Sequence, residues 1–266
     1  MKEDAMIVDI HTHILPYVDD GAENWDVSLE LLEQAEEQGV VAMVATPHIL
    51  SENDYRLEDD IISKYRELKK RARKKDLKIK LYLGCEIYVQ PDMTLDHKIS
   101  TYNNNKKYFL VEFPMTSIPR FAAEKFFNFI LSEKIPVIAH PERNAGFLNK
   151  PSLAYEFVQR GALLQINALS LLGKHGSKPK ALAFQLISHN LAHFVASDTH
   201  DPEKRSVRMA ECYDLVVDQW GEEKAKSLFY ENPAKAIKGV KIEPADPIPF
   251  QEEQKQPFWK KMKLFN

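Results

Sequence analysis

Short apolar runs, rich in β-branched residues, alternate along the chain with longer segments in which apolar residues recur every three or four positions. The short runs predict strands and the longer segments predict amphipathic helices. The predicted strands cover residues 6–10, 40–45, 79–83, 108–113, 136–139, 163–166 and 193–196. The predicted helices cover residues 25–38, 57–75, 120–133, 152–160, 179–188, 206–220 and 231–236. This alternation favours an α/β fold with a parallel sheet closed into a barrel, and an open doubly wound sheet is the alternative.

The length of 266 residues suits one α/β barrel domain, and no repeat, low-complexity segment or linker divides the sequence. We predict a single domain over residues 1–239 and a C-terminal tail over residues 240–266, where the sequence becomes polar and contains prolines. Residues 257–265 mix aromatic residues with lysines. We therefore expect membrane contact only through this tail or through a partner.

Composition and charge favour a cytoplasmic protein. Lysine and arginine number 36 against 39 acidic residues, so the net charge of −3 gives no overall attraction to nucleic acid or to a membrane surface. Acidic residues stand near the start, where a signal peptide needs a basic region, and no apolar run approaches the roughly 20 residues of a membrane span. The two cysteines, Cys85 and Cys212, are too few for a disulfide framework. We expect a cytoplasmic location and no nucleic-acid partner.

One segment departs from this balance of charge. Residues 64–80 contain ten lysines or arginines against Glu67 and Asp76. We interpret the segment as the solvated face of a helix, and a docking surface for an acidic, phosphorylated partner is the alternative. Nucleic acid is a weaker candidate because the rest of the chain is not basic.

Histidine, aspartate or glutamate follows six of the seven predicted strands. His11 and His13 come directly after the first strand, and residues two apart in extended backbone project to the same side, so both imidazoles can reach one ion. The carboxyl ends of parallel barrel strands meet at one mouth, which brings distant ligands together. The candidate metal ligands are His11, His13, Asp20, His48, Glu86, Glu112, His140, Asp198 and His200.

Nine candidate ligands indicate two or three metal ions, because one ion needs about three protein ligands. Imidazole and carboxylate donors suit manganese, iron or zinc. Clustered divalent ions activate water and neutralise phosphoryl charge, so the set predicts a phosphohydrolase. Arg143 follows His140, and Arg205 and Arg208 follow His200, where an arginine fork could bind a phosphate dianion. Neither cysteine stands in a Cys-x5-Arg loop, so a cysteine nucleophile is not expected.

These residues, in this order, resemble the PHP (polymerase and histidinol phosphatase) superfamily. More narrowly, the chain resembles the CpsB/YwqE-type manganese-dependent protein-tyrosine phosphatases of bacterial capsule and exopolysaccharide clusters. The resemblance covers about residues 6–239. The matching segments are residues 9–16, 19–21, 45–48, 84–88, 111–113, 138–143 and 196–200.

The resemblance implies a distorted seven-stranded (β/α) TIM-like barrel, the PHP fold, with a trinuclear cluster, most readily of Mn²⁺. Each ion would have its own ligand set. The implied sets are His11, His13, Glu86 and Asp198 for one ion, Glu86, Glu112 and His140 for a second, and Asp20, His48 and His200 for the third. Arg143 and Arg205 would be the catalytic residues that contact phosphate.

The resemblance also implies a substrate and a partner. The substrate would be phosphotyrosine, in the tail of a bacterial tyrosine kinase that assembles capsular or exopolysaccharide, and a metal-activated hydroxide would attack it directly. A histidinol-phosphate phosphatase of the same superfamily is one alternative. A non-catalytic regulatory partner of polysaccharide assembly is the other.

Overall fold

The computed structural model describes residues 6–250, in which parallel strands alternate with helices. The strands are β1 (Ile7–Thr12), β2 (Val40–Ala45), β3 (His48–Ile49), β4 (Lys80–Leu83), β5 (Glu86–Tyr88), β6 (Tyr108–Glu112), β7 (Ile135–Ala139), β8 (Leu163–Asn167) and β9 (Phe194–Ala196). The helices are α1 (Trp25–Glu37), α2 (Glu58–Lys74), α3 (Ala122–Leu131), α4 (Ala145–Asn149), α5 (Ser152–Gln159), α6 (Ala168–Leu171), α7 (Ser177–Ser188), α8 (Met209–Trp220), α9 (Glu222–Lys226) and α10 (Asn232–Lys238).

The strands form two hydrogen-bonded groups. Together they occupy seven positions around a barrel, because β2 and β3 share one position and β4 and β5 share another. Their orders are β1-β2-β4 and β3-β5-β6-β7-β8-β9, and every pair is parallel. Two strands are interrupted: β3 follows β2 after Pro47, and β5 follows β4 after Gly84. The first and last positions meet where Asp198 N donates to His11 O at 2.9 Å. The predicted α/β fold with parallel strands is confirmed, and this contact fits the predicted seven-stranded barrel.

Predicted and observed elements differ mainly at their ends. The strand predicted over residues 40–45 matches β2, and the other strands shift by one or two residues. The two-residue strand β3 and the three-residue strand β5 were not predicted, because Pro47 and Gly84 interrupt the apolar runs. The short helices α4, α6 and α9 were not predicted either, because four or five residues show no helical period.

Successive strand residues point alternately into the barrel and outward to the helices. Leu110 and Val137 lie in the inner apolar cluster, whereas their neighbours Phe109 and Ile138 lie in the outer cluster. On β6 the same alternation turns Glu112, two residues after Leu110, toward the barrel axis at the carboxyl end. The strand pattern that builds the core therefore also aims polar side chains at the mouth.

The amino end of the barrel is closed by residues from distant parts of the chain. Tyr102, Ile237 and Ile242 are buried in the inner cluster. The hydroxyl of Tyr108 donates to Val240 O and accepts from Ile242 N, both at 3.0 Å. The described residues after Gly239 thus contact the barrel, and the division into a domain and a tail stays a prediction. Residues 251–266, with the aromatic and lysine-rich end, lie outside the described residues.

Helix α2 carries opposite charges at its two ends. Its first turn holds Glu58, Asp59 and Asp60, and its last turn holds Arg71, Arg73 and Lys74, which complements the helix dipole. Its buried residues Ile61, Leu68 and Ala72 face the core. Within residues 6–250, no helix is long and apolar enough to span a membrane.

Candidate metal centre

The nine predicted ligands come together at the carboxyl ends of the strands. They form four overlapping groups whose donor atoms lie within 4.8 Å of one another. The groups are His13, Asp20, His48 and His200; His11, Glu86 and His140; His11, His13 and Asp198; and His48, Glu86 and Glu112. An open pocket of about 650 Å³ lies above them, lined in part by Asp20, His48, Glu86, Glu112 and His140.

Two of these side chains are placed by unusual backbone. His140 has φ 31° and Asp198 has φ 53°, both in the left-handed region that non-glycine residues rarely adopt. Such conformations cost about 1–3 kcal/mol each and cluster at functional sites. Asp198 N bonds to His11 O and His13 N bonds to Thr199 O, both at 2.9 Å, so the strained turn is held against β1.

The nitrogens of His11 and His13 fit a cation between them. His11 Nδ1 lies 2.8 Å from Gln165 Oε1, and His13 Nδ1 lies 2.7 Å from Asp19 Oδ2. Both partners are acceptors, since Gln165 Nε2 donates to Ile166 O, so each Nδ1 carries the hydrogen. In the neutral, metal-binding form of both rings, the two Nε2 atoms then face each other with lone pairs at 3.2 Å. A cation bound between them would resolve this contact.

Glu86 is the centre of a second set of close approaches. Its Oε2 lies 3.1 Å from His11 Nε2, 3.3 Å from His13 Nε2 and 3.1 Å from His48 Nδ1. Glu86 Oε2, His48 Nδ1 and His200 Nε2 are all buried without a hydrogen bond among the described residues. Buried polar atoms are nearly always paired, so these atoms fit metal coordination.

Burial and mutual repulsion shape the charges of the centre. Burial, together with the Glu86 charge, raises the pKa of Glu112 to about 8. Burial lowers the pKa of His48, His140 and His200, so these imidazoles are neutral, the form that binds metal. This crowding of carboxylates with neutral imidazoles suits divalent cations.

Arg143 and Arg205 lie on the wall of the pocket. Arg143 Nη1 donates to Asp198 Oδ2 at 2.8 Å, and Arg205 Nη2 lies 2.9 Å from both oxygens of Asp198. Their side chains are 21% and 31% exposed, so both guanidinium groups can meet a solute. Arg208 instead pairs with Glu211 and does not line this pocket.

Three polar side chains bond to the candidate ligands, and the sequence analysis gave none of them this role. Asp19 and Gln165 orient His13 and His11, and Asn167 Nδ2 donates to Asp198 Oδ2 at 2.9 Å. Gln165 is a polar residue inside an apolar predicted strand, which was a usable signal. Asp19 stands beside Asp20, and nothing in the sequence separates an orienting carboxylate from a ligand.

Both cysteines are unsuited to nucleophilic catalysis. Cys85 and Cys212 are buried and unpaired, and burial raises the pKa of both thiols. A protonated, inaccessible thiol is a poor nucleophile. This agrees with the expectation from the sequence.

The chain is similar over most of its length to known proteins. A family model described as "Capsular polysaccharide synthesis, CpsB/CapC" matches residues 7–238. The chain is 38% identical over 220 residues to tyrosine-protein phosphatase YwqE of Bacillus subtilis, covering 82% of this chain and 86% of that protein. It is 35% identical over 238 residues to putative tyrosine-protein phosphatase CapC of Staphylococcus aureus, covering 89% and 90% respectively.

A solved structure shares the whole fold. It comes from work on YwqE from Bacillus subtilis and CpsB from Streptococcus pneumoniae, described as unique metal-dependent tyrosine phosphatases. The TM-score is 0.86 at 35% identity, over 92% of this chain and 100% of that chain. With the family match over residues 7–238, these similarities show that the chain belongs to the CpsB/CapC family of capsular polysaccharide synthesis proteins.

Proposed function

We propose that this protein hydrolyses phosphotyrosine in a protein substrate and depends on bound divalent metal ions. The observation that carries the proposal is the convergence of nine histidine and carboxylate side chains beneath an open pocket walled by Arg143 and Arg205. The relatives named as tyrosine phosphatases support the same activity.

We further propose that the nine side chains hold three ions, with Glu86 shared between two of them. The overlapping groups of donor atoms support more than one ion, and Glu86 belongs to two of the groups. We propose Mn²⁺ as the metal, because the donors are nitrogen and oxygen with no thiolate, and iron and zinc are the alternatives. The proposed sets are His11, His13, Glu86 and Asp198; Glu86, Glu112 and His140; and Asp20, His48 and His200.

The protein's own side chains would bind and orient the phosphate. Arg143 and Arg205 present guanidinium groups at the pocket wall, where charge-assisted hydrogen bonds can hold two phosphoryl oxygens. When bound, divalent cations lower the pKa of water and neutralise phosphoryl charge. Hydrolysis forms one P–O bond from water and breaks the aryl P–O bond. Phenol has a pKa of about 10, so a tyrosine phenolate leaves readily and takes up its proton afterwards.

The pocket rim favours an aromatic phosphate on a polypeptide over a small polar phosphate. Leu50, Leu57 and Met115 line the pocket and are 55%, 42% and 41% exposed. Tyr17, next to the lining residue Val18, is 60% exposed. Exposed apolar side chains around a polar floor match a phosphotyrosine ring and its flanking residues. A small amino-alcohol phosphate such as histidinol phosphate would need an enclosed polar pocket.

The family description places related proteins in capsular polysaccharide synthesis. We propose that the substrate is a tyrosine kinase of polysaccharide assembly and that hydrolysis takes place in the cytoplasm. The two buried, unpaired cysteines support a reducing compartment.

A comparison of substrates tests the proposal. Metal-loaded protein should hydrolyse a phosphotyrosine peptide with kcat/KM at least about a hundredfold above that for histidinol phosphate, since the rim contacts only the former. Leu57→Ser should raise KM for the peptide, whereas Leu131→Ser, an exposed residue outside this pocket, should not. Efficient turnover of histidinol phosphate without turnover of the peptide would contradict the proposal.

A further inference from the structure

Helix α2 carries a row of cations on one face. Arg66, Lys69, Lys70, Arg73 and Lys74 follow the i, i+3, i+4, i+7, i+8 spacing that places side chains on the same side of a helix. With Tyr65 they line a groove of about 620 Å³, and no acidic residue lines it. We name these five residues the basic stripe. The chain as a whole has a net charge of −3, so the stripe is a local concentration of positive charge.

Cations beside the stripe are neutralised, whereas the stripe is largely not. Lys64 pairs with Asp60 at 2.5 Å, Arg71 with Glu67 at 2.9 Å, and Lys75 with Glu33 at 2.6 Å. These pairs remove their charge from the surface of α2.

Within the stripe, Arg66, Arg73 and Lys74 are exposed and make no ion pair with any residue of the described range 6–250. Lys70 lies 3.8 Å from Glu67, which already binds Arg71 at 2.9 Å. The helix dipole accounts for cations in the last turn but not for Arg66, which lies mid-helix. We therefore expect an anionic partner to bind the exposed cations of the basic stripe.

The stripe continues from the mouth of the metal centre. Leu57, directly before α2, and Ile61, near its start, line the active-site pocket. Lys64 Nζ donates to Tyr17 O at 3.3 Å, which fastens α2 to the loop that carries Asp20. At a rise of about 1.5 Å per residue, the stripe begins roughly 8 Å beyond Ile61 and ends roughly 20 Å beyond it. An extended polypeptide covers about 3.3 Å per residue. For a phosphotyrosine bound beside Ile61, residues roughly three to six positions away would therefore lie on the stripe.

The surroundings of the stripe favour a polypeptide over a membrane. Amphipathic helices that bind membrane interfaces expose apolar side chains beside their cations. On α2, Ile61, Leu68 and Ala72 are buried and Ile62 is partly buried. The groove is lined otherwise only by Tyr65, whose hydroxyl donates to Leu81 O at 2.6 Å. We propose that the basic stripe is a docking surface for an acidic segment of the phosphoprotein substrate, about three to six residues from the phosphotyrosine. This inference rests on the proposed function.

Two peptides and two charge-matched variants test the stripe. The peptides share one phosphotyrosine core, and one carries aspartates three to six residues away where the other carries asparagines. The stripe variant is Arg66→Glu/Arg73→Glu/Lys74→Glu. The control variant is Arg160→Glu/Lys178→Glu/Lys238→Glu, which reverses three exposed cations outside the stripe. Each variant is assayed with both peptides and with para-nitrophenyl phosphate, at low and high salt.

We expect the acidic peptide to have a KM about tenfold lower than the neutral peptide at low salt, with the difference reduced by salt. The stripe variant should lose this difference and keep its turnover of para-nitrophenyl phosphate, whereas the control variant should behave as wild type. An acidic-peptide advantage that survives in the stripe variant would overturn the proposal. So would a stripe variant that loses binding to phosphatidylserine vesicles while its peptide discrimination is unchanged.

A binding assay separates this inference from the proposed function. Fluorescence anisotropy with labelled peptides that carry a non-hydrolysable phosphonomethyl analogue measures affinity without turnover. If no phosphotyrosine peptide is hydrolysed, the proposed function fails, and the anisotropy of the two peptides still reports on the stripe. Equal affinity of both peptides for wild-type protein would refute docking at the stripe even if hydrolysis is efficient.

Discussion

Asp19 determines which nitrogen of His13 faces the candidate metal centre. Its Oδ2 lies 2.7 Å from His13 Nδ1 and accepts from the backbone N–H of His48 at 3.1 Å, and its Oδ1 accepts from the backbone N–H of Gly21 at 3.0 Å. One carboxylate thus orients an imidazole and ties the loop after β1 to the start of β3. Carboxylates in this position fix the tautomer of a metal-binding histidine and raise its basicity.

Asp19→Ala should weaken metal binding by about ten- to a hundredfold while the fold is kept, because His13 loses the partner that orients it. Isothermal titration with Mn²⁺ measures the affinity, and circular dichroism checks the fold. Asp92→Ala, at an exposed position outside this cluster, is the control. Unchanged Mn²⁺ affinity in Asp19→Ala would show that His13 needs no such partner.

Gly21→Ala should displace the loop that carries Asp20. A Cβ at Gly21 would lie 2.1 Å from His13 O and 2.5 Å from His13 Cβ, so backbone must move. The strain comes from this close approach, since the φ of Gly21 is not positive. We expect a lower melting temperature and the loss of about one metal ion per chain, measured by calorimetry and elemental analysis. Wild-type values for both would contradict the close packing of this loop.

Removal of either pocket arginine should impair catalysis. A charge-assisted hydrogen bond contributes about 1.5–3 kcal/mol, so Arg143→Ala and Arg205→Ala should each lower kcat/KM for a phosphotyrosine peptide by about ten- to a hundredfold. Steady-state kinetics measures the change. Arg208→Ala is the matched control, because Arg208 pairs with Glu211 away from the pocket. An equal loss in all three variants would argue against a specific role in phosphate binding.

Acidification should destabilise the protein in part through His193. Burial and the charge of Lys224 lower the pKa of His193 to about 3, and its Nδ1 accepts from Leu164 N at 3.0 Å. The unfolded chain has a histidine pKa of about 6.5, so it takes up the proton first as the pH falls. Stability from this group is therefore present above pH 6.5 and lost as the pH falls toward 3. The loss between pH 7 and pH 5 is about 2 kcal/mol.

The variant His193→Asn keeps an acceptor for Leu164 N and removes the titrating ring. Urea unfolding at pH 7 and pH 5 should therefore show a pH-dependent loss of stability smaller by about 2 kcal/mol than in wild type. His189→Asn, which removes a half-buried imidazole bonded to Ile248 O, is the control. Parallel losses in wild type and His193→Asn would contradict the low pKa.

The sequence predicted the α/β fold and the convergence of the candidate ligands because both leave local signals. Apolar runs mark the strands, and ligand residue types stand directly after them, as His140 does after β7. Parallel topology then brings these ends together without further information.

What the sequence did not predict depends on contacts between distant residues. Gln165 orients His11 across 154 positions, and Ile242 packs in the inner cluster with Tyr108 from across the chain. Strand β3 was not predicted because Pro47 breaks the apolar run. The two residues of β3 form a strand by pairing with β5. Such features arise from packing in three dimensions. Gln165 is recognisable as a polar residue in an apolar strand, but nothing local identifies His11 as its partner.

We propose that these donors hold more than one divalent ion needed for hydrolysis of phosphotyrosine. Elemental analysis of wild type, Glu86→Gln and His140→Ala, with phosphotyrosine hydrolysis measured after chelation and metal add-back, tests this claim. We predict two to three ions in wild type, fewer in His140→Ala, and the greatest loss in Glu86→Gln, which belongs to two of the donor groups. Activity should vanish on chelation and return with Mn²⁺. Full activity in chelated protein, or wild-type metal content in Glu86→Gln, would contradict the claim.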